Sequence, residues 1–204
     1  MTMRGTPYYY NGDELGMTNI RMDKIEDYND VATLNEYKHL IATGGNIAKF
    51  MDDIKFSCRD NGRTPFQWNA SASAGFTTGK PWLKVNPNYI FINAEAQEKD
   101  ANSTLNYFRK LTQLRKDNKA FVYGKYTLLD KANPNVYAFT RILDNEKFLV
   151  VLNFSKKVLS FDAHKFVNYN EHQLVLSNYD TTKNMSQYIL PLQPYEARVY
   201  KLSY

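Results

Sequence analysis

Two arginines flank a carboxylate in the run Arg59-Asp60-Asn61-Gly62-Arg63. A guanidinium is a planar fork, able to hold a carboxylate along one edge while its other N–H groups donate to hydroxyl oxygens of a ligand. The same residues suit a plainer task, in which Arg59 and Arg63 pair with Asp60 or other acids and pin a loop. Asp13 and Glu14 follow the turn pair Asn11-Gly12 and face the same choice between ligand contact and local hydrogen bonding. Trp68, Phe76, Trp82 and Tyr89 either pack the loop that holds the arginines or line the entrance to a pocket. With one cysteine, Cys58, the sequence offers no internal disulfide and no Cys-based zinc cluster, and no metal or cofactor is expected.

The frame that must position these residues has 204 of them in all, enough for one domain or a small domain with part of another. It is too short for an eight-fold βα barrel, which takes about 250 residues, with an appended domain. At 43% hydrophobic and 23% charged, the composition is that of a globular chain. Sixteen Tyr and twelve Phe give a surplus that fits a β-rich core and equally a surface for flat sugar faces. The net charge of +5 is spread without a basic cluster or nucleic-acid motif, so nucleic acid is not an expected partner. No apolar run approaches the roughly 18 residues of a membrane span, so no membrane partner is expected, and no signal peptide is read at Met1.

Along the chain, residues 6–10 read as a short buried strand ended by Asn11-Gly12. An acidic stretch leads to Asp30, which caps a helix over Val31–Thr43 with Leu34, Tyr37, Leu40 and Ile41 on one face, and Gly44-Gly45 stops it. A shorter helix is expected over 47–54. From 57 to about 93 the periodicity disappears, and a loop of that length in a compact domain points to function. Ser103 caps a further helix to about Asp117, with Arg109, Lys110, Arg115 and Lys116 in its C-terminal half. Beyond Phe121 seven short runs, 126–129, 136–141, 147–154, 158–161, 173–176, 187–190 and 197–202, predict an antiparallel sandwich. The chain thus divides into 1–119, one strand with helices and a loop, and 120–204, all β. A lone strand leaves its backbone groups unpaired, so the first part reads as a piece of something larger.

Four motifs carry a family resemblance. Arg4-Gly5-Thr6-Pro7-Tyr8-Tyr9-Tyr10-Asn11-Gly12-Asp13-Glu14-Leu15-Gly16-Met17-Thr18-Asn19 resembles the eighth barrel strand and following loop of the alpha-glucosidase and oligo-1,6-glucosidase branch of the alpha-amylase superfamily. Asp30-Val31-Ala32-Thr33-Leu34-Asn35 is similar to that branch's Asp-Val-Glu-Thr-Leu-Asn, with Ala32 where an acid usually stands. Ser57-Cys58-Arg59-Asp60-Asn61-Gly62-Arg63-Thr64-Pro65-Phe66-Gln67-Trp68 resembles Ser-Arg-Asp-Asn-Ala-Arg-Thr-Pro-Met-Gln-Trp, and the runs Ala74-Gly75-Phe76-Thr77-Thr78-Gly79-Lys80-Pro81-Trp82 and Val85-Asn86-Pro87-Asn88-Tyr89 extend the match. In the β part the resemblance rests on the strand pattern and on Val150-Val151-Leu152-Asn153-Phe154-Ser155.

The resemblance implies an α+β chain: the last strand and helices of a TIM (β/α)8 barrel, followed by an all-β antiparallel sandwich. It implies a retaining, exo-acting glycosidase of alpha-1,4/1,6-linked gluco-oligosaccharides, in which one carboxylate attacks the anomeric carbon and a second acid protonates the leaving oxygen. A third carboxylate of the family steadies the charged transition state. All three belong to motifs on earlier strands, such as Asn-His-Asp, and none of His39, His164 and His172 precedes an Asp. No residue here is therefore expected to be catalytic. What remains is the pocket wall at the C-terminal ends of the strands, with Arg63 and Arg59 as the expected substrate contacts, Arg63 slightly preferred. The expected partners are an oligosaccharide in the intact enzyme, the absent N-terminal barrel, and a second copy of the chain through barrel-facing surface; the family points to the cytoplasm. Trehalose-6-phosphate hydrolases and sucrose isomerases share these motifs, and a non-catalytic carbohydrate-binding or interaction module is the alternative from another class.

Overall fold

The structure, a computed structural model, describes residues 1–180 and 189–203. They form two compact units: Tyr8–Phe108, and Met1–Pro7 together with the chain from Arg109 onward. In this grouping the first seven residues go with the β unit.

The first unit is helical and irregular. Its helices are α1 (Val31–Thr43), α2 (Ile47–Ser57), α3 (Ala94–Glu98) and the first turn of α4 (Thr104–Asp117), with single 3-10 turns at Asp13–Leu15, Ile25–Asp27, Arg59–Arg63, Ala72–Gly75 and Pro87–Ile90. Each start is written in a side chain that accepts an otherwise orphaned backbone N–H: Asp30 from Thr33 at 3.1 Å, Asn46 from Lys49 at 2.9 Å, Asn93 from Ala96 at 2.8 Å and Ser103 from Asn106 at 3.2 Å. Such a cap is worth about 1 kcal/mol. Gly44 ends α1 at φ 71°, where a side chain would be strained. Of the face expected on α1, Leu34 packs on the core of Met22, Tyr28, Ile54 and Cys58, and Tyr37 meets the Phe50 ring at 6.3 Å, whereas Ile41 is exposed. A second small core joins Leu15, Phe66 and Leu105.

The strand expected at residues 6–10 does not form, and Tyr8 is 91% exposed instead of buried. Strand geometry is held by ladder bonds from neighbours, and these residues pair with no strand.

The β unit carries β1 (Lys125–Leu129), β2 (Val136–Leu143), β3 (Glu146–Asn153), β4 (Leu159–Asp162), β5 (Glu171–Ser177), β6 (Ile189–Leu192) and β7 (Ala197–Ser203). The expected run 187–190 falls partly outside the described residues. Every pairing is antiparallel, in a five-stranded sheet of order β1-β2-β3-β7-β5 and a separate pair β4-β6. The turn between Leu143 and Glu146 places Asp144 at φ 49°, which an Asp tolerates and which suits a two-residue hairpin. One face of the large sheet, with Ala138, Leu149, Val151 and Tyr200, packs on Phe161, Leu190 and Leu192 of the small one, so the unit is a sandwich. The other face, with Phe139, Phe148, Val150 and Val199, is covered by Phe121 and Ala120 of the short helix α5 (Ala120–Tyr123) and by Leu114 of α4.

Several polar side chains of this unit are withdrawn from solvent. Glu196 and Arg198 form a bidentate ion pair at 2.6 and 2.8 Å, and Arg198 also donates to the Tyr200 hydroxyl at 3.1 Å. Arg141, fully buried, donates to the Thr2 and Gly124 carbonyls, while Arg115 donates to those of Met1, Met3, Gly5 and Phe121. His172 on β5 lies edge-on to Tyr169 and Tyr200, and its Nδ1 is buried with no hydrogen-bond partner among the described residues.

Burial, and then the nearby His164, hold the His172 pKa below the ordinary histidine value. A histidine kept neutral in the fold costs nothing above pH 6.5. As pH falls through that value the unfolded chain takes up a proton that the folded chain refuses. Stability should therefore drop on acidification below pH 6.5, by up to about 1.4 kcal/mol per pH unit, until the folded pKa is passed. Urea titrations of the chain and of His172→Phe at stepped pH check this; an equally steep acid loss in the variant would refute it.

Candidate functional site

The site grows from one buried carboxylate. Asp60, fully buried, accepts the backbone N–H of Asn29 at 2.7 Å and of Asp30 at 3.0 Å through Oδ2. Beside it the Cys58 sulfur lies 3.4 Å from the Thr33 hydroxyl, and the Asp60 N–H points to that sulfur. The 3-10 turn Arg59–Arg63 is thereby bolted to the N-terminus of α1, joining two motifs that the sequence keeps some thirty residues apart.

Asp30 and Asp60 then take up one of the two arginines. Arg63 Nη1 lies 3.5 Å from Oδ1 of each. Arg59, by contrast, is exposed and makes no ion pair or hydrogen bond among the described residues. It is still close enough to act on Asp30 by charge. Burial alone would raise the Asp30 pKa, but the two Thr33 hydrogen bonds and the charges of Arg59 and Arg63 outweigh it, so the carboxyl stays ionised below its ordinary range. The N-terminal end of α1 favours the same charge.

The remaining expected residues divide by task. Asp13 accepts the Tyr10 N–H at 3.1 Å and Glu14 the Gly12 N–H at 2.8 Å, so both shape the turn after residue 10. Gln67, fully buried, donates to Asn88 and to the Ile92 carbonyl, and Asn86 donates to the Thr18 carbonyl at 2.8 Å. These amides hold the long loop to the segment around Thr18. Trp68 touches Phe66 at 4.5 Å and stays 53% exposed, as Trp82 stays 58% exposed, so packing uses only part of either ring. Ala32 and Glu36 are exposed on α1. A small cleft of about 160 Å³ opens beside the turn, lined by Tyr10, Asp13, Asn19, Asn61, Gly62 and Thr64. A Cβ on Gly62 would sit 3.3 Å from the Tyr10 ring, so an alanine there asks that exposed ring to give by a few tenths of an ångström.

Asp60 and Thr33 were not singled out as organising residues in the sequence. The spacing Asp30 to Thr33 is a capping signal, but the pairing with Asp60 depends on contacts across thirty residues. Among the described residues no group of three or more His, Cys, Asp or Glu side chains is placed to hold a metal ion, and no helix is long and apolar enough to cross a membrane.

The chain matches two family models: alpha amylase, catalytic domain, over residues 1–124, and maltogenic amylase, C-terminal domain, over residues 126–199. Among curated proteins it is 46% identical to the oligo-1,6-glucosidase of Parageobacillus thermoglucosidasius, with 98% of this chain covering 36% of that protein. It is 38% identical to the trehalose-6-phosphate hydrolase of Bacillus subtilis, again covering 98% of this chain and 36% of the relative. Among solved structures, the isomaltulose synthase of Klebsiella superposes at a TM-score of 0.92 with 40% identity, over 98% of this chain and 36% of that one. The chain therefore spans little more than a third of the length of the proteins it matches.

Proposed function

Since this chain belongs to the alpha-amylase family and spans the end of the catalytic domain and the C-terminal domain of an oligo-1,6-glucosidase-like enzyme, we propose that it supplies one wall of a gluco-oligosaccharide pocket. The reaction is retaining, exo-acting hydrolysis of alpha-1,4/1,6 linkages, and its carboxylates come from polypeptide outside residues 1–204. Arg59 carries the reading. Arg63 has Asp30 and Asp60 to neutralise it, whereas Arg59 presents a guanidinium with no ion pair among the described residues, beside a fixed carboxylate. An Arg fork of this kind donates to the hydroxyls of a terminal glucose and, along its other edge, to a carboxylate from the rest of the pocket. Arg63 works as the pin that keeps the turn in place. The exposed rings of Tyr8 and Tyr10 support a polypeptide partner for the first unit, either the rest of the barrel or a second copy.

Two measurements test this. Residues 1–204 alone should release no glucose from p-nitrophenyl alpha-glucoside, because positioning groups cannot replace a nucleophile and an acid. Turnover that scales with chain concentration would end the proposal. A chimera in which residues 1–204 replace the equivalent 36% of the Parageobacillus oligo-1,6-glucosidase should hydrolyse isomaltose. A folded chimera that works only on trehalose 6-phosphate, or only isomerises sucrose, would move the reading to those relatives.

A further inference from the structure

The β unit has an aromatic corner of its own. Phe154, just past β3, is 66% exposed, and Tyr137 on β2 stands edge-on to it with ring centroids 6.5 Å apart and planes at 73°. The two rings and the turn Asn133-Pro134-Asn135 enclose a cleft of about 380 Å³ at the end of the large sheet.

An exposed Phe would be unremarkable if its backbone were loose, but this one is fixed on both sides. The Phe154 N–H donates to the Asn135 carbonyl at 2.7 Å, and the Asn133 amide oxygen accepts from the N–H groups of Asn135 and Val136 at 3.0 and 2.9 Å. The neighbouring Asn153 side chain is buried and donates to the carbonyls of Lys157 and Gln193, both at 2.8 Å, while its oxygen accepts from Ser155. Two asparagine-built turns thus hold one aromatic face toward solvent. At the lip, the Asn135 side-chain amide is exposed and makes no hydrogen bond among the described residues, leaving two donors and an acceptor for a ligand.

We infer that this corner is a second saccharide site, taking one or two glucose units of an alpha-glucan on the Phe154 ring with the Asn135 amide on their hydroxyls. A pyranose has an apolar C–H face that stacks on an aromatic ring and a rim of hydroxyls that need neutral donors and acceptors. None of the six lining residues, Asn133 to Tyr137 and Phe154, is charged, which suits a neutral polyol. The site lies within the β unit, is separate from the Arg59 turn, and rests on the proposal that the assembly handles gluco-oligosaccharides.

The test uses the full 204-residue chain, labelled with ¹⁵N and titrated with maltotriose and isomaltotriose. Saturable shifts should appear at the Asn135 side-chain amide and at backbone amides 133, 135–137 and 154. Phe154→Ala, an exposed position whose change leaves the core intact, should weaken binding at least about tenfold, and Asn135→Ala by a smaller factor, while Phe154→Tyr retains it. The absence of saturable shifts at these amides, or shifts that survive Phe154→Ala unchanged, would overturn the site. Shifts at the same amides on raising protein concentration without sugar would assign the corner to a second copy of the chain and also overturn it. Binding here should be indifferent to Arg59→Ala. Failure of the corner leaves isomaltose hydrolysis by the chimera untouched, and an inactive chimera leaves the titration untouched, so the two readings fall separately.

Discussion

Glu196→Ala should destabilise the β unit by about 3–5 kcal/mol. The acid is fully buried on the connection into β7, where its two oxygens take both arms of Arg198 and also the Gln193 N–H at 2.7 Å. Truncation strips the bidentate partner from a guanidinium that is itself 3% exposed, in a region that water does not reach. The Tyr200 hydroxyl cannot substitute, since burial pushes its pKa up to about 12 and it stays neutral. For a unit of roughly a hundred residues each kcal/mol is worth about 4–8 °C in Tm, so the variant should melt tens of degrees lower. Removing both charges is a different matter. Glu196→Met with Arg198→Leu should recover most of the loss, because two apolar side chains need no solvation. Urea unfolding of the three chains, followed by far-UV circular dichroism, checks both. A loss under about 1 kcal/mol in the single variant would mean that the pair is solvated after all.

In the chimera, Arg59→Ala should lower kcat/KM for isomaltose by between about tenfold and a thousandfold with little change in Tm. Hydrogen bonds to charged groups are worth about 1.5–3 kcal/mol each, and the substitution deletes a fork that makes no other ion pair among the described residues. Arg59→Lys should not rescue it, since a point charge cannot reproduce planar bidentate geometry. Arg63→Ala should do the reverse. It strips the partner from Asp30 and Asp60, so the melting temperature falls first. Full activity in folded Arg59→Ala, with the loss transferred to Arg63→Ala, would exchange the two roles.

The three longer helices were legible because their signals are local: Asp30 and Ser103 each cap within three residues, and Gly44 closes α1 where the Gly pair was read as a stop. The five-residue α3, capped by Asn93, went unread because it is too short to show a period. The β runs were legible for a related reason: polar turns at Asn133-Pro134-Asn135 and Asp144-Asn145 separate apolar segments whose register then follows from hairpin geometry. Residues 6–10 look the same in sequence, yet a strand exists only with a neighbour, and the neighbour is not encoded locally. The slight preference for Arg63 over Arg59 had little in the sequence to rest on. The two sit almost symmetrically about Asp60, and what separates them is Asp30, placed beside Arg63 by the clamp of Asp60 on the Asn29 and Asp30 amides.

Arg115 and Arg141 grip carbonyls of the first five residues, so residues 1–7 belong to the β unit, and the chain leaves it after Pro7 and comes back at Arg109. Topologically, the helical unit is an excursion of about a hundred residues strung between two anchored ends. The entropy of closing such an excursion grows only logarithmically, with each doubling adding about 0.6 kcal/mol. Its length is therefore nearly free to vary, while its ends are not. Insertions and deletions within the excursion can reshape the loops of the helical unit at little cost to the sandwich, as long as the two arginines keep their hold on the carbonyls of residues 1–5.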